Sequence, residues 1–206
     1  MILENVRVGP MEVNCYVLAS KPNSGAIIID PGSEERKISR VLDKYELSAA
    51  FIINTHGHYD HIGGDDKFGV PVYVHTQDLP LLKNAQLNLS ASFALSYCVK
   101  SEIKTVEEND ILGIDDIELK VIHLPGHTRG GIALLMLKPQ EKKVFTGDTL
   151  FCYGIGRSDL DGGDEGLLIK SIKEKLLNLS DDTIVYPGHG VSSSIGEEKK
   201  NNPFLT

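Results

Sequence analysis

Three of the chain's seven histidines lie within six residues, in the segment THGHYDH at 55–61. His56, His58 and His61 share this segment with Asp60, which places four potential metal ligands on one short stretch. Neutral imidazole nitrogens and carboxylate oxygens are ligands that Zn²⁺ accepts at about 2.0–2.2 Å, and iron and manganese accept the same types. The segment therefore predicts a metal site. The alternative is a polar loop in which histidines happen to cluster.

Three later segments share one design, because each follows a β-prone run and presents one ligand-type residue beside small residues. They are LPGHT with His127, TGDTLF with Asp148 and YPGHG with His189. Taken singly, each is more typical of a turn than of a ligand, since Pro-Gly and Asp are ordinary turn residues. Together the four segments offer five histidines and two carboxylates, which exceeds the need of one tetrahedral ion. Such a set suits two ions about 3.5–4 Å apart that share a carboxylate and a water.

The other reactive side chains are predicted to be structural. His75 ends a strand-like run, and His123 is separated from His127 by a Leu-Pro-Gly segment that breaks any helix placing both on one face. Cys152 follows Asp148 closely, but its surroundings, TLFCYG, are apolar and favour packing over a nucleophilic role.

The elements that must position these residues alternate in the first half of the chain. VNCYVLAS, GAIIIDPG, AAFIINT and PVYVHTQD are typical of strands, and SEERKISRVLDKYEL has the apolar spacing of a helix. Ser33 is a plausible N-cap for that helix. Strand, helix and strand in this order indicate a sheet covered by helices.

The second half is rich in strands and contains one clear amphipathic helix, DEGLLIKSIKEKLLNL. Its apolar stripe consists of Leu168, Ile172, Leu176 and Leu179. Residues 84–101 lack periodicity and predict a flexible or partly helical excursion.

Length and charge limit the remaining possibilities. The 206 residues fit a single domain over 1–206, and the net charge of −8 disfavours broad binding to nucleic-acid phosphates. The three cysteines form no CxxC pair, the N-terminus does not resemble a signal peptide, and no apolar run approaches the roughly 18 residues of a membrane span. We expect a cytoplasmic protein with no nucleic-acid or membrane partner and leave its oligomeric state open.

The motifs HGHYDH, PGHT, GDTLF and PGHG, in this order, resemble those of the metallo-β-lactamase superfamily, as does IDPG at 29–32. GIGRSDLDGGD and EEKKNNPFL make the chain most similar to the short bacterial glyoxalase II-like proteins, the hydroxyacylglutathione hydrolases. The resemblance implies an α+β fold, an αββα sandwich in which two mixed sheets pack face to face with helices outside.

The resemblance also implies two divalent metal ions per chain, with zinc expected and iron or manganese as alternatives. It assigns the first ion to His56, His58 and His127, the second to Asp60, His61 and His189, the bridging position to Asp148, and the support of the HGHYDH loop to Asp30.

The implied reaction is hydrolysis of a small acyl thioester, of the S-lactoylglutathione type, by a hydroxide held between two metals. Asp60 is the predicted catalytic residue, which orients the hydroxide and accepts its proton. Tyr153 and Arg157 are predicted to line the substrate cleft, with Arg157 either holding a substrate carboxylate or pairing with Asp159 or Asp161.

Two features keep other functions open. Glyoxalase II proteins carry a C-terminal helical region that supplies much of the glutathione surface, whereas this sequence ends 17 residues after His189, so the thiol carrier is undecided. Persulfide dioxygenases look similar and would use one iron on His56, His127 and Asp148. Lactone hydrolysis on the same centre is a further alternative. A non-catalytic descendant is the third class, although such proteins usually lose ligands.

Overall fold

Long apolar strands dominate the chain, and the computed structural model, which describes residues 1–206, arranges them in two six-stranded sheets. The N-terminal half supplies the first sheet: β1 (Ile2–Val8), β2 (Val13–Ala19), β3 (Gly25–Ile29), β4 (Ser48–Ile53), β5 (Val72–His75) and β6 (Ile103–Val106). The C-terminal half supplies the rest: β7 (Ile111–Ile114), β8 (Ile117–His123), β9 (Ile132–Lys138), β10 (Lys143–Gly147), β11 (Leu150–Phe151), β12 (Gly154–Ile155), β13 (Ile184–Pro187) and β14 (Ser193–Ser194).

Both sheets are mixed. The first runs β1 to β6 in chain order, antiparallel as far as β3 and parallel from β3 to β6. The second has the order β14-β13-β10-β9-β8-β7, in which only β10 and β13 are parallel. β11 and β12 pair as a separate short ribbon.

The helices are short. They are α1 (Glu35–Lys44), α2 (Tyr59–Ile62), α3 (Leu79–Leu82), α4 (Glu165–Ser171) and α5 (Ile195–Asn201). Single 3₁₀ turns occur at Asp65–Lys67, Thr76–Asp78 and Ser90–Phe93, and α4 continues into a π-helical turn over Ile172–Leu176. No helix has the length and apolarity needed to cross a membrane.

The main core lies between the two sheets. β2 is buried along its whole length, because alternate side chains point to opposite faces of a strand and both faces are covered. Tyr16 and Leu18 pack toward β8 and β9, where they join Leu119, Val121 and Leu134. The opposite face of the first sheet packs on α1, and that of the second packs on α4 and α5. The predicted αββα sandwich is confirmed.

The prediction that Ser33 caps the first helix is wrong. The cap position is occupied by Glu34, which lies in the left-handed region at φ 56° and makes no side-chain capping bond. Its carboxylate instead accepts hydrogen bonds from the Gly9 amide at 2.8 Å and the Lys37 ammonium at 2.7 Å. The chain turns sharply between β3 and α1, and this turn moves Ser33 one residue away from the capping position.

The predicted C-terminal amphipathic helix forms, but with a change of pitch. Leu168, Ile172 and Leu176 are fully buried, as the stripe indicates, while Leu179 is only partly buried. The wider π turn that follows α4 keeps residues spaced by four closer to one line than a continuous α-helix would. The 84–101 segment is irregular apart from its one helical turn, which fits the partly helical expectation.

Candidate metal centre

The ligand-bearing loops of the first sheet leave it at one edge, because β3, β4 and β5 are parallel and their carboxyl ends meet there. Asp30 follows β3, the 55–61 loop follows β4, and Asp78 follows β5. The loop is compact, since the His58 carbonyl accepts from the His61 amide at 3.0 Å as α2 begins.

The second sheet delivers its loops to the same edge. His127 follows β8, Asp148 follows β10 and His189 follows β13, and these three strands run in the same direction. The Asn14 amide donates to the Gly188 carbonyl at 2.7 Å, so the β1–β2 hairpin joins the two sheets beside the site.

The first cluster contains three buried imidazoles, His56, His58 and His127. The His58 Nδ1 lies 3.0 Å from the His127 Nε2, which lies 3.3 Å from the His56 Nε2. All three nitrogens could bind one ion, because each pair lies within 4.8 Å.

The second cluster contains Asp60, His61 and His189. The Asp60 Oδ2 lies 3.3 Å from the His189 Nε2 and 3.7 Å from the His61 Nε2. This cluster is more open than the first, since 28% of the His189 side chain and 17% of the Asp60 side chain remain exposed.

Asp148 lies between the two clusters. Its Oδ1 is 3.4 Å from the His61 Nε2, and its Oδ2 is 3.5 Å from the His189 Nε2 and 3.9 Å from the His127 Nε2. The carboxylate therefore lies within 3.9 Å of histidines from both clusters, which is the position a bridging ligand would take. Gly188 makes this approach possible, because a Cβ at that position would overlap the Asp148 carboxylate and the His61 ring.

Hydrogen bonds from the outer ring nitrogens fix the orientation of four histidines. Nδ1–H donates from His61 to the Asp30 carboxylate at 2.9 Å, from His127 to the Arg157 carbonyl at 2.8 Å and from His189 to the Met11 carbonyl at 2.9 Å. The His56 Nδ1 lies 3.2 Å from the Thr55 hydroxyl, which itself donates to Asp30. With the proton on Nδ1, each ring directs the lone pair of Nε2 toward the centre, as is usual for metal-binding histidines.

Asp78 links the two loops of the first cluster, a role that no motif in the sequence indicates. Its buried carboxylate accepts from the Gly57 amide at 2.9 Å, between His56 and His58. It also accepts from the Thr128 hydroxyl at 2.8 Å and the Gly130 amide at 2.6 Å, just beyond His127. The only sequence signal is an acidic residue shortly after a strand, and many such residues serve turns.

The charges at the centre match a bound cation. Burial lowers the pKa of His56 well below its ordinary value and lowers the pKa of His58 to about 3, so both are neutral donors at pH 7. Burial opposes a charge on His61, but without an ion three neighbouring carboxylates raise its pKa well above its ordinary value. They belong to Asp148, Asp60 and Asp30. Burial alone would raise the pKa of Asp148, but the His61 imidazolium holds it below its usual range, so the carboxylate is ionised, and a bound cation would replace the proton on His61. Neutral imidazole and ionised carboxylate are the forms that bind metals.

Two buried polar atoms at the centre lack any hydrogen-bond partner, the His61 Nε2 and the Asp148 Oδ1. The close approach of the His58 Nδ1 and the His127 Nε2 also brings two acceptor lone pairs together unless a proton or a cation lies between them. Buried polar groups are almost always satisfied, so these atoms fit ligands that face metal ions. The residues present therefore suit a two-metal site.

The structure brings all seven predicted ligand residues to this one edge and leaves one predicted substrate contact elsewhere. Arg157 borders the cleft above the clusters, a cavity of about 240 Å³, but its guanidinium makes a two-point pair with Asp159 at 2.8 Å. Tyr153 does not line that cavity; 47% of it is exposed, and its amide donates to Glu198. Two backbone contacts that the sequence does not indicate also position ligands. The carbonyl of Met11 holds the His189 imidazole, and the carbonyl of Arg157 holds the His127 imidazole.

His75 and His123 lie outside the clusters, as predicted, and stack on each other with ring centroids 3.9 Å apart. The Cys152 thiol is not among the residues of the cleft. Both observations agree with the structural roles expected for these side chains.

An αββα sandwich with a histidine and aspartate cluster at one edge defines a class of metal-dependent enzymes, and comparisons with known proteins agree. The sequence profile of the metallo-beta-lactamase superfamily matches residues 8–189. Hydroxyacylglutathione hydrolase GloC of Haemophilus influenzae is 36% identical, covering 100% of this chain and 98% of its own. An uncharacterized protein of Mycobacterium tuberculosis is 40% identical with the same coverage.

Two solved structures are similar over nearly their whole length. BLEG-1 B3 metallo-beta-lactamase has a TM-score of 0.91 and 36% identity, with 100% of both chains covered. A di-iron-bound form of TTHA1623 has a TM-score of 0.83 and 34% identity, covering 98% of this chain and 100% of the other. The chain belongs to the metallo-β-lactamase superfamily, and it is a metal-binding hydrolase of that superfamily.

Proposed function

We propose that the protein hydrolyses small acyl thioesters, in the manner of glyoxalase II, with two divalent metal ions for which zinc is the first candidate. The observation that carries this proposal is the set of seven histidine and aspartate ligands at the base of an open cleft. No serine, threonine or cysteine lines the cleft, so the attacking nucleophile is water.

His56, His58 and His127 would hold one ion, Asp60, His61 and His189 the other, and Asp148 would contact both. Ions in such a site lower the pKa of water toward 7 and polarise a carbonyl oxygen. Asp60 accepts the proton of the attacking water, because its carboxylate borders the cleft and lies on the same face as Asp148.

The cleft favours a thioester over a phosphate ester. Arg157 is the only Lys or Arg in its lining, and that side chain is already paired with Asp159. Transfer of a phosphoryl group needs positive charge around three oxygens, whereas an acyl carbon needs support for only one developing oxyanion. The net charge of −8 likewise favours a small-molecule substrate over a nucleic acid. The similarity to GloC supports the same assignment.

The test combines a panel of thioesters with metal analysis. Protein loaded with zinc, iron or manganese is assayed for release of free thiol, and metal is quantified by mass spectrometry. We expect about two ions per chain and a fall of about 10²–10⁴-fold in kcat for Asp60→Asn. Asp43→Asn, an exposed aspartate on α1, is the control and should retain full turnover.

Other outcomes would overturn the proposal. One iron per chain, with oxygen consumed in the presence of a thiol persulfide, would assign the dioxygenase activity instead. Cleavage of lactones without cleavage of any thioester would assign a lactonase. Full turnover by Asp60→Asn would exclude the role given to that carboxylate.

A further inference from the structure

A second cavity of about 270 Å³ adjoins the cleft on the side of the β1–β2 hairpin. The two cavities share Met11, Tyr59, Asp60 and Phe93, so the second opens directly beside the proposed proton acceptor. We propose that this side cavity binds the apolar chain of the acyl group, which makes the enzyme selective for uncharged acyl thioesters. This inference rests on the proposed thioesterase function and adds the class of acyl group.

The lining of the side cavity is apolar and offers no positive charge. Val8 and Val13 form its buried part, and Asp60 is its only acidic or basic residue. Outside the lining, the Gly9 amide is bound by the Glu34 carboxylate at 2.8 Å, and Glu34 is itself paired with Lys37 at 2.7 Å, so this ion pair leaves no free cation for a ligand in the cavity. A carboxylate entering this space would lose water without gaining a partner, which is strongly unfavourable, whereas an alkyl chain would gain from burial.

The rim of the side cavity exposes three large apolar side chains to solvent. Met11, Phe93 and Leu95 are 40%, 55% and 42% exposed and come from two separate segments that meet at the opening. Exposed large apolar side chains that converge on a cavity are typical of a ligand-binding surface.

The cleft and the side cavity adjoin but differ in chemistry, and this difference assigns the acyl group to the apolar side cavity. Arg157 and Leu160 border the cleft but not the side cavity. A thiol carrier with polar groups therefore fits the cleft, whose lining includes Asn88 and Arg157. The acyl carbon must lie near Asp60, at the junction, which directs the acyl chain into the side cavity.

The hairpin that forms one wall is also fastened to the second cluster. The Met11 carbonyl accepts from the His189 Nδ1 at 2.9 Å, and Val13 forms an isolated β-bridge with His189. The wall is thus held at a fixed position relative to the reacting centre. The enzyme should therefore discriminate between acyl chains of different length.

The experiment measures kcat/KM for two series of thioesters. One series lengthens a straight acyl chain on a constant thiol, and the other lengthens the thiol on a constant acetyl group. We expect kcat/KM to rise about fourfold per methylene in the acyl series, until the cavity is filled, and to stay nearly flat in the thiol series. A terminal carboxylate on the acyl chain should abolish the gain.

Leu95→Ala and Phe93→Ala should lower turnover of the hexanoyl ester about tenfold relative to the acetyl ester in the same variant. Both side chains are exposed, so the variants should fold. Ile111→Ala removes an equally exposed apolar side chain at the edge of the second sheet and should leave the ratio unchanged.

A flat acyl series in an active thioesterase would overturn the assignment of the side cavity and leave the proposed function intact, as would a slope confined to the thiol series. If no thioester is cleaved, the proposed function fails. Calorimetric binding of straight-chain alcohols to the metal-free protein then tests whether the side cavity binds alkyl chains. Affinity that rises with chain length and falls in Leu95→Ala would support an alkyl site, and affinity independent of chain length would overturn it.

Discussion

The two ligand clusters differ in burial and in charge. His56, His58 and His127 are buried and contribute imidazoles but no carboxylate, whereas Asp60 and His189 remain partly open to the cleft. A cation in the first cluster would be held by close packing and by hydrogen bonds behind the rings. A cation in the second would be held in part by carboxylate charge, at a position that solvent can reach. We therefore expect the second cluster to exchange its ion faster.

The largest effect should come from the residue common to both clusters. Asp148→Ala removes the carboxylate that approaches His61 and His189 of the second cluster and His127 of the first, so both sites are damaged. We expect turnover to fall about 1,000-fold or more, in line with the several kcal/mol that metal activation supplies. Turnover assays with metal quantification check this. Retention of both ions with full activity would show that Asp148 does not bridge.

Single-ligand variants should separate the clusters. We expect His58→Ala and His189→Ala each to retain about one ion per chain, but with different exchange rates. The ion left in His189→Ala should leave slowly into a chelator, because it lies in the buried first cluster, and the ion left in His58→Ala should leave quickly. Timed chelation followed by mass spectrometry measures both rates, and equal rates would contradict the comparison.

Asp78 should act as a positioning residue for the first cluster alone. Asp78→Asn weakens its hydrogen bonds to Gly57, Thr128 and Gly130, and partners that orient ligand loops typically contribute 10–100-fold in metal affinity or activity. The affinity of the slowly exchanging ion should fall by about that factor, while the other ion is unaffected. Asp66→Asn is the matched control, because that carboxylate organises Lys100 and Ser101 instead. Equal losses at both clusters would indicate general destabilisation.

The smallest effect on metal binding should come from Arg157→Ala. The carbonyl of Arg157, not its guanidinium, holds His127, and the guanidinium forms an exposed ion pair of the kind that contributes little to stability. Metal content should stay at the wild-type level, while KM should rise only for thiol carriers that bear a carboxylate. A KM unchanged for every carrier would leave the guanidinium with only its pairing role.

The gathering of the seven candidate ligands and the fold class were predictable because their signals are local. HGHYDH is contiguous, and the other ligands each follow a strand whose apolar pattern is clear. The role of Asp78, by contrast, depends on contacts with two loops, at Gly57 and at Thr128, which lie 21 and 50 residues from it along the chain. Nothing in the sequence around Asp78 reveals that it joins them. The carbonyls of Met11 and Arg157 carry no side-chain signal at all, since any residue has a carbonyl.

The wrong helix cap has a related origin. Ser33 has the residue type of a helix cap, but a left-handed turn at Glu34 decides where α1 begins. Tyr153 is close to Asp148 in sequence, yet it is not among the residues that line the cleft; its backbone is left-handed, its amide donates to Glu198, and its contact with substrate stays a prediction. Proximity along the chain predicts proximity in space only when the intervening backbone continues in one direction.

The division of the sheets between the two halves of the chain has a consequence for the order of events during synthesis. His56, His58, Asp60 and His61 belong to the half that leaves the ribosome first, whereas the last ligand, His189, is 128 residues beyond His61. The second cluster cannot be complete while the segment that carries His189 is still in the ribosome, whereas the three histidines of the first cluster end at His127. The β1–β2 hairpin must also wait for the His189 loop before it gains its partner. The more open cluster is therefore the one whose ligands are completed last during synthesis.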